Sequence, residues 1–301
     1  MTKSNSNSVK KCFSMPPLVS IGMPVYNGAR YIREALDSLL GQTFTDFELI
    51  ISDNASTDST EAICREYAAK DQRIRYIRQS QNLGASGNFK FVLDEALGEY
   101  FMWAAHDDKW SSNYLLEAKK SLEKTNFSFA FPTFKLQSIH LPLSSKERGE
   151  HIFKFIESED RKRRVLSFLS LHHLSHSANI VYAFYRKDFL KSCCCLHDIS
   201  NDGLLSTVAL SLGRGVVLKN VLFFKRYRRF WPGALLGLYR SDFRKRRDRL
   251  NEFNLNKKRS LSKLNQLFPE YSNEIKIIFD SYKLFTYRKD FKICDIEDML
   301  K

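Results

Sequence analysis

Short β-rich runs alternate with longer helical patterns from residue 18 to about residue 134, and this rhythm restricts the 301-residue chain more than any other feature. It demands an α/β sheet. Residues 18–24 read as a first strand, 47–52 as a second, 74–78 as a third, 100–104 as a fourth and 127–134 as a fifth. Ile32, Leu36, Leu39 and Leu40 share one helical stripe, as do Phe89, Val92, Leu93 and Ala96, so each helix has an apolar face to lay on the sheet. A further helix begins near Ser111. Over residues 137–164 no period holds, and a long loop or irregular insertion with one short helix is expected. A strand at 180–186, a helix at 202–212 and a pair of late strands within 215–227 follow; from about Pro232 the pattern is helical and basic.

Several classes are excluded early. With 43% hydrophobic and 27% charged residues the chain is neither disordered nor fibrous. Its longest apolar stretches fall far short of the ~20 residues that cross a bilayer. The polar first eleven residues lead into no secretory signal, so a cytoplasmic protein with a disordered tail at 1–16 is expected. Six cysteines without a C-x-x-C pair fit a reduced compartment. The triplet Cys193, Cys194 and Cys195 reads as idle thiols ahead of a soft-metal or lipid-modified cluster. His172, His173 and His176 have no carboxylate at ligand spacing, and a loop role is favoured over zinc.

The net charge of +14 is uneven: residues 221–301 hold 20 Lys/Arg against 10 Asp/Glu. Such a tail attracts phosphates of nucleic acid, anionic lipid or a pyrophosphate-linked substrate, or it is a solvated basic face.

In an open parallel sheet, ligands gather outside the carboxyl ends of the strands. Four polar groups fall there: Tyr26-Asn27, Asp53-Asn54, the small-residue loop from Asn82 to Asn88, and His106-Asp107-Asp108. Asp53 is suited to accept from a base or ribose, or to cap the helix after it. No G-x-G-x-x-G follows the first strand and no G-x-x-x-x-G-K-[ST] occurs, which counts against NAD, FAD and a P-loop ATPase. Asp107 and Asp108 with His106 suit Mg²⁺ or Mn²⁺ completed by substrate phosphates, the imidazole favouring Mn²⁺; a solvated acidic turn is the alternative.

Jointly, the run from Val19 to Gly28 (VSIGMPVYNG), Gln42-Thr43, the run from Phe47 to Asp58 (FELIISDNASTD), Asn82-Leu83-Gly84 and His106-Asp107-Asp108 resemble the opening of a family 2 glycosyltransferase with the GT-A fold. The match covers about residues 17–110, with weaker echoes to about Arg228. The resemblance implies a Rossmann-like, mostly parallel central sheet flanked by helices. It also implies a glycosyltransferase domain at 17–230, with a nucleotide-binding half at 17–110 and an acceptor half at 111–230, and a helical basic extension at 231–301. By the same resemblance, Pro24, Val25, Tyr26 and Asn27 line the nucleotide pocket and Asp53 meets the base, often uracil. Asn82 and Gly84 border that pocket, Asp107 faces ribose or sugar, and Asp108 with His106 holds the metal. His106 replaces the first acid of the family's D-x-D element.

The family's later E-D element corresponds to Asn201-Asp202, which makes Asp202 the candidate base for the acceptor hydroxyl, against a capping role, with Asp198 in reserve. Arg226, Tyr227 and Arg228 resemble a segment at the mouth of the site, so Arg226 and Arg228 are expected at the diphosphate or acceptor, or else at a solvated strand end. The expectation is an inverting, Mn²⁺- or Mg²⁺-dependent transfer from a nucleotide-diphosphate sugar, most simply a UDP-sugar, to a glycan or lipid-linked hydroxyl in cell-surface polysaccharide synthesis. The basic tail is expected to attach peripherally to an anionic membrane face. A nucleic-acid-binding protein using that tail and a non-catalytic scaffold are the alternatives.

Overall fold

β1 (Val19–Val25) and β2 (Phe47–Asp53) are buried at every position, as near-continuous apolar runs require of central strands covered on both faces. The computed structural model describes residues 15–138, 147–148, 153–171, 177–193, 202–227 and parts of 262–275. β1 leads into α1 (Ile32–Leu40), whose Ile32, Ala35, Leu36 and Leu39 are buried. β2 leads into α2 (Thr60–Lys70), then β3 (Ile74–Arg78), α3 (Gly84–Asp94) and β4 (Tyr100–Trp103). A two-residue strand β5 (Lys109–Trp110), α4 (Tyr114–Glu123), β6 (Phe129–Ser138), β7 (Glu147–Arg148), β8 (Phe184–Arg186) and β9 (Gly215–Tyr227) complete the sheet.

The sheet order is β3-β2-β1-β4-β8-β6-β9-β5, with β7 paired to β6. β3, β2, β1 and β4 are parallel neighbours, the expected Rossmann-like block. Beyond β4 the sheet is mixed: β8 is antiparallel to both β4 and β6, β9 runs parallel to β6, and β5 is antiparallel to β9. The expected mostly parallel sheet is thus found, its antiparallel pairings being short and lying beyond β4. α3 crosses against β1, and the lack of a side chain at Gly22 makes this possible, because a Cβ there would lie 2.7 Å from Val92 Cγ2.

The late strands expected within 215–227 are one strand. Within it Asn220 takes a left-handed φ of 59° where the β6–β9 register shifts at Pro132/Thr133. The expected strand at 180–186 is a 3₁₀ turn (Ser177–Tyr182) followed by β8. Within the region read as irregular, the structure has a 3₁₀ turn (Lys154–Glu157) and a helix, Arg161–Leu171. That helix burying Val165, Leu166, Phe168 and Leu169 begins on Arg161-Lys162-Arg163-Arg164, where four consecutive charges hide its period. Buried Arg164 explains its own cost: it donates to the carbonyls of Leu210, Ser158 and Glu159 at 2.7–2.9 Å.

At the amino-terminal end of the parallel block, the fully buried Glu48 carboxylate accepts from Ser20 Oγ (2.7 Å), Leu97 N–H (2.8 Å) and Arg75 Nη1 (2.8 Å). Ser20 Oγ in turn accepts from Gly98 N–H at 2.8 Å. One carboxylate thus pins β1, β2, β3 and the turn before β4, and its charge is tolerable in the core because each oxygen is hydrogen-bonded. The buried Cys64 thiol is pushed up to about 12 by desolvation and by Asp53 and Asp58, which leaves it inert. Cys193 is buried as well. Residues 1–14 of the tail expected at 1–16, most of the basic extension expected at 231–301, Asp198, His172, His173, His176, Cys194, Cys195 and Arg228 lie outside the described residues.

Candidate active site

The order β3-β2-β1-β4 reverses direction between β1 and β4, and the carboxyl ends of those two strands open a crevice. A solvent-open cleft of about 320 Å³ lies there, lined from β1 by Pro24, Val25 and Tyr26 and from β4 by Ala105, His106 and Asp107. Asn54, Asn82, Ala85, Asn88, Phe89 and Tyr182 close its other sides. Six predicted residues, Pro24, Val25, Tyr26, Asn82, His106 and Asp107, therefore share one cavity.

Local chemistry fixes the walls. The loop after β1 is laced to the loop after β2: Ser56 Oγ accepts from Asn27 N–H (2.9 Å), Thr60 Oγ1 from Gly28 N–H (2.9 Å) and Asp58 Oδ2 from Ala29 N–H (3.1 Å). Asn27 Oδ1 returns the favour, accepting from Thr57 N–H at 2.8 Å. These side chains were expected to cap α2; they chiefly tie down the neighbouring loop instead. Asn27, with φ 51°, sits in the left-handed region that Asn tolerates best after glycine. Asn54 Nδ2 donates to Asn82 Oδ1 (2.8 Å) and to the Gly84 carbonyl (3.2 Å), while Asn54 Oδ1 accepts from Leu83 N–H (2.7 Å). Asn82 Oδ1 also accepts from Gly84 N–H, and Gly84 has φ 74°. Asn82 and Gly84 thus form a turn anchored to β2 at the mouth of α3.

Asp53 stands behind this wall. Its side chain is fully buried and accepts from Ser56 N–H (2.8 Å), Tyr76 OH (2.8 Å) and Arg78 Nη1 (2.9 Å). These three bonds tie the loop after β2 to β3. The arrangement pushes the Tyr76 phenol above its ordinary range, by desolvation first and by Asp53 second.

The acidic turn is held from two sides. Gly28 leaves room for the His106 ring: a Cβ there would lie 2.7 Å from its Cδ2. On the far side, Asp108 is 2% exposed and its Oδ1 accepts from Arg226 N–H at 2.8 Å. Desolvation pushes the Asp108 carboxyl up to about 7, against the opposing pull of Lys225 and Arg226. The Arg226 guanidinium, expected at the diphosphate or acceptor, is engaged by the Asp107 carbonyl (2.9 Å), Glu34 (3.0 Å) and the Tyr31 ring (4.2 Å to the centroid). Lys225 on the other face of β9 lies 5.2 Å from the ring centroid of Tyr182, a wall residue. Asp202 is the first residue of the helix Asp202–Leu212.

Among the described residues, no three His, Cys, Asp or Glu side chains cluster to hold a metal ion. The set His106 and Asp108 fits a hard divalent cation that takes most of its ligands from phosphate and water, because a carboxyl raised by burial gains most from a cation. Tyr182, Asn88 and Phe89 were not singled out as site residues; Tyr182 arrives from a 3₁₀ turn with no motif, whereas Asn88 closes the small-residue loop that the sequence marks.

Residues 20–192, more than half of the chain, match the family described as Glycosyl transferase family 2. The chain belongs to glycosyltransferase family 2. Relatives of this family 2 chain include an uncharacterised glycosyltransferase of Rickettsia typhi, 32% identical over 54% of this chain and 47% of the relative. The putative teichuronic acid biosynthesis glycosyltransferase TuaG of Bacillus subtilis is 33% identical over 48% of this chain and 54% of the relative. The chain thus spans about half the length of these two relatives. A solved structure of S. aureus TarS (residues 1–349) has the same fold, with a TM-score of 0.55 at 22% identity, covering 70% of this chain and 60% of that one. Among the described residues no helix is long and apolar enough to cross a membrane.

Proposed function

We propose that the chain transfers a sugar, with inversion, from a nucleotide-diphosphate donor to a hydroxyl of a glycan or lipid-linked acceptor in cell-surface polysaccharide synthesis. The observation that carries this reading is the cleft at the β1/β4 switch point, where the Tyr26 loop, the Asn82 turn and the acidic turn converge. A UDP-sugar is the proposed donor. TarS, which shares the fold, has been solved with UDP and with UDP-GlcNAc, and TuaG is named for teichuronic acid synthesis.

In this reading, Pro24, Val25, Tyr26, Asn27, Asn82 and Gly84 border the nucleoside, Asp53 keeps the loops around it in register, and Asp107 faces the ribose or sugar. His106 and Asp108 would hold Mn²⁺ or Mg²⁺, which when bound offsets the charge gathering on the leaving diphosphate. Asp202 takes the proton from the acceptor hydroxyl as it attacks, and Tyr26, Phe89 and Tyr182 keep bulk water from the donor. Arg228, beyond the described residues, is proposed to meet diphosphate or acceptor. Attachment of the basic tail to an anionic membrane face also remains a proposal.

The test is donor turnover by the purified chain with UDP-sugars, with and without Mn²⁺. Asp202→Asn is expected to lower turnover by roughly 10²–10⁴-fold while donor affinity stays near that of the parent. Absence of metal-stimulated turnover or binding with every nucleotide sugar would sink the reading.

A further inference from the structure

Glu34 on α1 pairs with two cations that flank the acidic turn, Lys109 Nζ at 3.2 Å and Arg226 Nη2 at 3.0 Å. They come from β5 and β9, which are joined antiparallel through Lys109–Phe224 and Trp110–Phe223. Arg226 reaches into the turn twice more, from its main-chain N–H to Asp108 Oδ1 and from Nε to the Asp107 carbonyl. Its side chain is 11% exposed and rests on the Tyr31 ring, so one face and both ends of the guanidinium are fixed.

A guanidinium this close to a buried carboxylate ordinarily forms a forked pair with it. Arg226 gives Asp108 only a main-chain N–H, and its side chain turns to Glu34 and the Asp107 carbonyl. Glu34 supplies the reason: it holds the Nη2 end of the guanidinium at 3.0 Å, with Lys109 as its second partner at 3.2 Å. Because Glu34 is 49% exposed, the pair adds little to stability, and its effect is on direction.

We propose that Glu34 is a positioning residue that keeps the Arg226 guanidinium off Asp108, leaving that carboxylate for a divalent cation arriving with the nucleotide diphosphate, while Arg226 steadies the 106–108 turn. The inference rests on the function proposed above and deepens it: α1, which bears no proposed donor contact, becomes part of the cation site.

The test is Mn²⁺ binding to the full chain in the presence of UDP, read from the electron paramagnetic resonance signal of unbound Mn²⁺, with thermal melting as a check on folding. The isosteric change Glu34→Gln is expected to weaken Mn²⁺ binding about tenfold. Arg226→Ala, which loses the hold on the turn, is expected to weaken it comparably, and the double variant no further than Arg226→Ala alone, because Glu34 acts only through Arg226. Hydrogen exchange over residues 105–110 should quicken in both single variants. Affinity in Glu34→Gln within about twofold of the parent, or losses that multiply in the double variant, would overturn the inference and leave the functional reading standing. If the parent binds UDP neither with nor without Mn²⁺, the functional reading fails and the inference falls with it.

Discussion

Burial holds the Asp108 carboxyl up at about 7, so without a cation the folded protein keeps a proton there that the unfolded chain has already released. Between the ordinary carboxylate range and about pH 7 the folded state binds more protons, and stability therefore falls as pH rises through that window. Melting in EDTA across it should show the decline, and Asp108→Asn should flatten it. Gly28→Ala is a second probe: the added methyl meets Val25 Cγ2 and His106 Cδ2 at 2.6 and 2.7 Å, so nucleotide binding measured by calorimetry should drop while the sheet still forms. Glu48→Ala leaves the Leu97 N–H and the Ser20 hydroxyl without their acceptor and Arg75 with Glu95 as its remaining partner, and should cost about 1–3 kcal/mol in urea unfolding. At this scale Pro24, Val25, Tyr26, Asn82, His106 and Asp107, legible in the sequence because each lies at or after the end of a strand, line one cleft. Asp53 shows where local reading stops: its motif position was legible, but its commitment to Tyr76 and Arg78 depends on β3, more than twenty residues away.

β9 shows the same division for a whole element. Lys219-Asn220 interrupts an apolar run in a segment expected to hold two strands, yet the chain continues as one strand because β6 offers pairing partners on both sides of the interruption. The irregularity is absorbed as a register shift with a left-handed Asn220, and only a long partner strand makes that cheaper than reversing direction. Asn220→Val should therefore destabilise by about 1–3 kcal/mol, with Asn220→Gly close to neutral, measured by thermal melting. The helix Arg161–Leu171 was illegible for the opposite reason. Its first turn is charged throughout, and its apolar face becomes recognisable only when packed on the helix Asp202–Leu212.

For the whole molecule, the mixed half of the sheet turns the parallel block into a walled site, since β9 carries the Arg226 bracket and Lys225 to the β1/β4 crevice. A ligand that bridges both halves binds the folded chain alone and stabilises it. UDP-sugar with Mn²⁺ at about 100 times its dissociation constant should raise stability by roughly 2.7 kcal/mol, seen as a shift in melting temperature. The shift should shrink at acid pH, where protons compete for Asp108.

What the sequence determined by itself was the parallel block and the ring of loops after its strands, because apolar periodicity and polar strand ends are local properties of the chain. The tertiary structure alone decided which partners each acidic side chain meets. Asp53 is engaged by Tyr76 and Arg78, and the Arg226 guanidinium by Glu34; both pairings depend on partners from other strands and helices, whose approach no local pattern encodes.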